Sequence, residues 1–252
     1  MSKQNLWECS FEFIKHQQKR RAEVVTLLLE PKRNDVVLDV GCHEGYIMSF
    51  FAGQAGFVVG LDVSLDAIKI AKSKLNASNL DFCRGDASKL PFRPSCFDKM
   101  TVLEVLEHLP NLEMSVEEID RCAKENAVLV ISLPWKEKIP HLPARMPHKE
   151  TGRLVPRWGH LHSFDDADIA SLLPSYYALI IKKHLPNTYI HLITWLPVLR
   201  HLPLRNWLRI NDILGKIRKG YWVICKFKKV ASQVNKLPAR AKNGARIDEQ
   251  EN

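Results

Sequence analysis

The stretch from Asp35 to Tyr46 constrains the fold more than any other part of the chain. Val36-Val37-Leu38-Asp39-Val40 is a short apolar, β-branched run carrying an acid. Gly41 and Gly45 follow, four apart, and then an apolar helical pattern at Ile47, Met48, Phe50 and Phe51. Strand, glycine turn and helix in that order is how an α/β sheet brings its backbone close to a nucleotide-like ligand. A glycine turn also serves simply to pack a helix on a strand, so the rest of the chain has to decide.

The rest repeats the pattern. Phe57 to Asp62 is a second apolar run ending in an acid, about twenty residues on, where nucleotide-binding βαβ units place a carboxylate for ribose hydroxyls. Leu80 to Cys83 leads into Gly85-Asp86-Ala87, Phe97 to Leu103 into Glu104-Val105-Leu106-Glu107-His108, and Ala127 to Ser132 into Leu133-Pro134. Helical patterns are predicted at 45–54, at 64–76 with Ser64 as N-cap, and at 112–124. One or two N-terminal helices lie within 1–30, stopped by Pro31. Strands alternating with helices imply right-handed crossovers and a parallel sheet. Further strands are predicted at 177–182 and 221–228, and a helix from Ser163-Phe164-Asp165-Asp166 to about Leu173.

At this point the sequence resembles the class I S-adenosylmethionine (SAM) methyltransferases, close to the small-molecule group that includes the ubiquinone-biosynthesis enzymes. The resemblance covers about residues 20–183, with the last strand near 221–228, and rests on four motifs in the right order and spacing. It implies a Rossmann-like α/β fold: a seven-stranded, mostly parallel sheet with an antiparallel last strand and helices on both faces. It implies SAM as cofactor, with Asp39 orienting the glycine loop, Gly41 and Gly45 letting the backbone approach, Asp62 on the ribose, and Asp86 with Ala87 at the adenine. The family often has a third glycine where His43 stands. The Glu-Val-Leu-Glu-His stretch, and a helix that opens on Tyr46-Ile47-Met48 rather than on a third glycine, set the chain apart from dinucleotide oxidoreductases.

Methyl transfer to oxygen or carbon also requires loss of a proton, hence a base or a metal. If residues 104–108 are helical, Glu104, Glu107 and His108 share one face. They resemble the metal-binding ExxEH of certain ubiquinone O-methyltransferases and of small-RNA 2′-O-methyltransferases, with a further histidine supplied from Gly159-His160-Leu161-His162-Ser163-Phe164. This implies Glu104, His108 and His162 as catalytic candidates, and Glu104, Glu107, His108 and His162 as candidate ligands for Mg²⁺ or Zn²⁺.

Composition decides the remaining questions. A chain of 252 residues, 46% hydrophobic, can bury one substantial core, so residues 1–230 read as a single domain. Six scattered cysteines without a CxxC pair, and a start unlike a leader, point to a reduced, cytoplasmic setting. No apolar run approaches bilayer-spanning length. Residues 182–252 carry 15 Lys/Arg against 4 acids, whereas residues 1–181 have a net charge of −2. Residues 134–163, with five prolines and four histidines, read as a lid loop. Residues 184–219 read as an insertion in which Trp195, Leu196, Leu199, Trp207 and Leu208 interleave with Arg200, Arg205 and Arg209. That is the composition of a cap helix or of a segment lying on an anionic membrane. Residues 231–252 read as a disordered tail. The leading expectation is a methyltransferase for a small or lipid-linked acceptor, at oxygen, peripheral contact with membrane being an option. An RNA methyltransferase drawn from the basic C-terminal part, and a SAM-binding protein without catalysis, are the alternatives.

Overall fold

The computed structural model describes residues 18–135, 145–147, 154–156, 160–185 and 222–230. The N-terminal helix α1, described over 18–29, precedes strand β1 (Val36–Val40). There follow β2 (Phe57–Asp62), α2 (Leu65–Lys74), β3 (Leu80–Arg84), β4 (Phe97–Leu103), α3 (Leu112–Cys122) and β5 (Ala123–Pro134). Two short strands, β6 (Arg145–Pro147) and β7 (Leu154–Pro156), pair with each other, and α4 (Asp166–Ser171), β8 (Tyr177–Leu185) and β9 (Trp222–Lys229) complete the order.

Seven strands form one sheet in the order β3-β2-β1-β4-β5-β9-β8. The first five run parallel, and β9 lies antiparallel between β5 and β8. This is the expected mixed sheet. The strand order reverses between β1 and β4, so their carboxyl ends border a crevice, the place where open α/β sheets bind ligands. Each face is covered. Val25, Leu28 and Leu29 of α1 join Ile68 and Ala71 of α2 against Val37, Val58 and Phe82. Ile119 and Cys122 of α3 and Ile169 of α4 pack with Leu38, Met100, Leu129 and Ile131 on the other side.

The caps follow the sequence. Ser64 Oγ accepts from the Ala67 N–H at 3.2 Å and starts α2. Asp165 caps α4 and closes a capping box with Asp168. Lys99 of β4 holds the far end of α1: its Nζ donates to the Leu29 carbonyl at 2.7 Å and pairs with Asp35 at 3.4 Å.

Two expectations change. The helix predicted over 45–54 is instead two 3₁₀ turns, Met48–Phe50 and Ala52–Gln54. Gly45, Gly53 and three aromatic residues leave too little helix propensity for a regular α-helix in ten residues. Helix α3 stops at Cys122, and β5 starts there rather than at 127. Its register with β4 then jumps from Phe97↔Ala123 to Lys99↔Val128, so the extra residues bulge, with Asn126 at φ +64°. Within the stretch read as a lid, Arg145–Pro147 and Leu154–Pro156 pair as the antiparallel strands β6 and β7. The insertion read at 184–219 lies, beyond Leu185, outside the described residues, as does the tail at 231–252.

Candidate functional site

The glycine loop leaves β1 at Asp39, which is 3% exposed. The Thr101 hydroxyl on neighbouring β4 donates to its Oδ1 at 2.5 Å. Burial raises this carboxyl to about 7, against the pull of Thr101 and of the Arg21 charge. Gly41 and Gly45 have φ of +73° and +77°, where side chains are strained. There is also no room: a Cβ on Gly41 would lie 2.3 Å from Val105 Cγ2, and one on Gly45 2.6 Å from Leu75 Cδ1. His43, between them, also sits in the left-handed region at φ +49°. It thus adopts the backbone that a glycine would adopt there, with its side chain exposed.

Asp62 at the end of β2 ties this loop to the next one. Its Oδ2 accepts the His43 N–H and its Oδ1 the Ser64 N–H, both at 2.8 Å. An oxygen has two lone pairs, so each can accept once more. Asp86 accepts from both the backbone and the hydroxyl of Ser88 through Oδ1, at 2.8 Å each, which holds its carboxyl below the usual range. Among the described residues its Oδ2 takes no hydrogen bond, and Ala87 beside it is buried. The acids of three successive strands thus stand at the carboxyl edge of the sheet on one side of the crevice.

The stretch after β4 is not a helix. Glu104 is in the left-handed region at φ +59°, and only Leu106–His108 form a single 3₁₀ turn. Glu104, Glu107 and His108 therefore do not share a helix face. The left-handed turn sends Glu104 back toward β5, where Ser132 Oγ donates to its Oε1 at 2.6 Å. Arg21 of α1 in turn donates to Ser132 Oγ at 2.7 Å and stands 3.3 Å from Glu104 Oε1. Glu107 is fully buried. Burial foremost raises both carboxyl groups, Glu104 to about 8. Among the described residues, neither Glu107 oxygen nor Glu104 Oε2 meets a hydrogen-bond donor.

His160, rather than His162, completes the group. Its ring stands on that of His108 at 4.9 Å between centroids, and one donor atom each from Glu107, His108 and His160 lie within 4.8 Å of one another. Burial, and then the charge of His108, lower the His160 imidazole below its usual range. The loop is fixed because the Leu161 and His162 N–H groups both donate to the Glu107 carbonyl, at 2.6 and 3.1 Å. His162 itself donates through Nε2 to the Leu109 carbonyl at 2.7 Å, and it lines a 680 Å³ groove with Leu112, Val116, Leu161 and Leu172. Of the four residues read as metal ligands, Glu107 and His108 come together, while Glu104 turns to Ser132 and His162 to Leu109.

Sequence reasoning missed Arg21, Thr101 and Ser132, and named His160 only in passing. Arg21 reads as part of the polar side of a helix, and Thr101 and Ser132 are small polar residues in apolar strands. Nothing local marks them.

A family model described as "Methyltransferase domain" matches residues 31–174. The ubiquinone biosynthesis O-methyltransferase of Glaesserella parasuis is 32% identical over 103 residues, 38% of this chain and 44% of that protein. The demethylmenaquinone methyltransferase of Porphyromonas gingivalis is 32% identical over 124 residues, 44% of this chain and 51% of that protein. The chain thus spans about half the length of these curated relatives. A methyltransferase solved in complex with the Haloferax volcanii Trm112 activator superposes with a TM-score of 0.62 at 15% identity, covering 90% of this chain and 95% of that one. The [4+2]-cyclase SpnF superposes at 0.60 and 16%, covering 84% and 80%. At such identities the likeness is one of fold, and a fold shared with a cyclase does not name a reaction. The family match spans more than half of the sequence and includes every acid of the crevice: the chain belongs to the methyltransferase-domain family.

Proposed function

We propose that this protein transfers a methyl group from SAM to a hydroxyl oxygen of a small, lipophilic acceptor of the quinone-precursor type. The observation that carries the reading is the set Asp39, Gly41, Gly45, Asp62 and Asp86 along one edge of the crevice, with the buried Glu107 next to it. The residues fit the cofactor. Asp62 keeps a free lone pair on each oxygen for a vicinal diol, Asp86 keeps Oδ2 for an amino group, and Asp39 can face an ammonium. When bound, SAM supplies a methyl group on a positively charged sulfur, open to in-line attack.

What the chain must add is orientation and a place for a proton. Glu107 is suited to take the acceptor's hydroxyl proton, being buried, short of donors and backed by Glu104. His108, partly exposed beside it, can pass the proton to solvent. The groove lined by Leu112, Val116 and Leu161 supports an acceptor with an apolar part. The basic charge of residues 182–252 supports contact with an anionic surface carrying such an acceptor. The relatives' names support the quinone-precursor class, and the cytoplasmic side of a membrane is the setting that joins these features.

A second reading of the same cluster has Glu107, His108 and His160 holding Mg²⁺ or Zn²⁺, favoured by the convergence of their donor atoms within 4.8 Å. Calorimetry with SAM, with and without each ion, tests both readings. The base reading expects SAM binding and turnover of a polyprenylated catechol unchanged by a chelator. The metal reading expects turnover to vanish with the chelator and an ion-binding signal to disappear in His160→Ala. No SAM binding in any condition overturns the proposal.

A further inference from the structure

Ser88 orients the Asp86 carboxylate within its loop, but the loop itself is held by α3. Beyond β3 the Gly85 N–H donates to the Asp62 carbonyl at 3.0 Å, and Lys89 folds back on Asp86 as an isolated bridge. The chain then meets Glu118 and Arg121 of α3. Glu118 Oε2 accepts the Leu90 N–H at 2.8 Å. Arg121 donates through Nη2 to the Leu90 carbonyl at 3.1 Å and through Nη1 to the Phe92 carbonyl at 2.8 Å. The two side chains also lock each other, Arg121 Nε and Nη2 donating to the two Glu118 oxygens at 2.6 and 2.8 Å. Together they give Leu90 the acceptor and the donor that a neighbouring strand would give. Ala87 and Leu90 are buried in one cluster with Ile119 and Cys122 of the same helix, and Phe92 meets Phe97 edge-on at 5.0 Å. An ion pair serving α3 alone would add little to stability and would not need the loop. This one binds three backbone groups 28 to 31 positions away.

We infer that Glu118 and Arg121 are positioning residues for the adenine end of the methyl-donor site. By fixing Leu90 and Phe92 they set where the Asp86 carboxylate stands, and with it how well the site selects its purine. The inference rests on reading Asp86 as the acid that accepts from the adenine amino group. Asp86 Oδ1 is taken by Ser88, which leaves Oδ2 to face the base. Hypoxanthine has an oxygen where adenine has the amino group, so it sets an acceptor against an acceptor. A carboxylate held in place rejects that arrangement, whereas one on a slack loop moves aside and tolerates it.

The test needs no acceptor. S-adenosylhomocysteine (SAH), which SAM leaves after transfer, is compared with S-inosylhomocysteine, its hypoxanthine counterpart. Both affinities are measured by calorimetry for the wild type, Arg121→Gln, Asp86→Asn and the double variant Arg121→Gln with Asp86→Asn. Thermal unfolding checks that each variant is folded. Wild type is expected to prefer SAH by about tenfold or more. Arg121→Gln and Asp86→Asn should each lose most of that preference, and the double variant no more than Asp86→Asn alone. Arg121→Lys, which can keep one carbonyl contact without the fork, should retain part of it. Should Arg121→Gln not fold, Glu118→Gln and Arg121→Lys carry the same comparison. Variants that weaken both ligands equally, or losses that add in the double variant, overturn the inference by reducing the pair to a structural role. Wild type that binds both ligands alike overturns the adenine reading of Asp86, and the inference with it. Wild type that binds neither overturns the SAM reading itself.

Discussion

The two sides of the crevice are built in different ways. On the β2–β3 side each acid is held by neighbours in its own or the adjacent loop: Asp62 by the amides of His43 and Ser64, Asp86 by Ser88. On the β4–β5 side the acids are held by residues brought from far along the chain, Glu104 by Arg21 and Ser132 and Glu107 by the loop at 161–162. The first side is turn backbone with carboxylates in reach of water. The second is a set of buried side chains whose carboxyl groups are raised by burial. A binding surface can be made from local turns, whereas a site that moves protons has to exclude water and therefore gathers its members from several elements.

That contrast can be broken from either side. The largest expected effect is on the second: Glu107→Ala should lower turnover by about 10² to 10⁴, with far less change in SAM affinity. A matching loss of binding would show that the two sides are not separable. On the first side, Asp62→Ala removes two backbone anchors and the diol's partner at once, and should weaken SAM by about 100-fold or more by calorimetry. Unaltered affinity there would move the ribose elsewhere.

A smaller effect sharpens the comparison through Asp39, the acid that lies between the two sides. Its carboxyl titrates at about 7 when folded, against 3.8 for the ordinary group. An acid raised by folding binds its proton more tightly in the native state. Its ionisation thus destabilises the ligand-free protein as pH rises from about 4 to 7. Ligand-free stability should decline over that window and flatten in Asp39→Asn. A cationic ligand favours the ionised form, so SAM affinity should fall by up to about tenfold for each pH unit below 7. A flat profile would detach Asp39 from the ligand. The smallest change is expected for His43→Gly, which relieves a left-handed side chain. Thermal unfolding should show a shift worth about 1 kcal/mol or less, with SAM binding retained.

Legibility in the sequence follows the same division. The strands, the Ser64 cap, Asp39, Asp62 and Asp86 can be read because period, turn chemistry and spacing are local properties. The helix expected at 45–54 fails on local grounds too, since three glycines within twelve residues favour short 3₁₀ turns. Glu104 turns away from Glu107 and His108 for another reason. A helical wheel assigns faces only if the backbone is helical, and one residue at φ +59° redirects every side chain around it. Arg21, Ser132 and His160 earn their places from contacts 28 or more residues distant in sequence or from ring packing, and no window of the sequence contains that information.

The position of β9 sets an order of assembly. Residues 222–229 form an interior strand, and β8, about forty residues earlier, is paired in the sheet through β9 alone among the described strands. On a ribosome, β8 would emerge and wait, with Leu179, Ile180 and Ile181 unpaired, until β9 arrived to join it to β5. The same strand brings Lys226 to Glu30 at the end of the helix that carries Arg21. The last described strand to be made therefore helps to seat the first described helix, and the working geometry waits on the synthesis of β9.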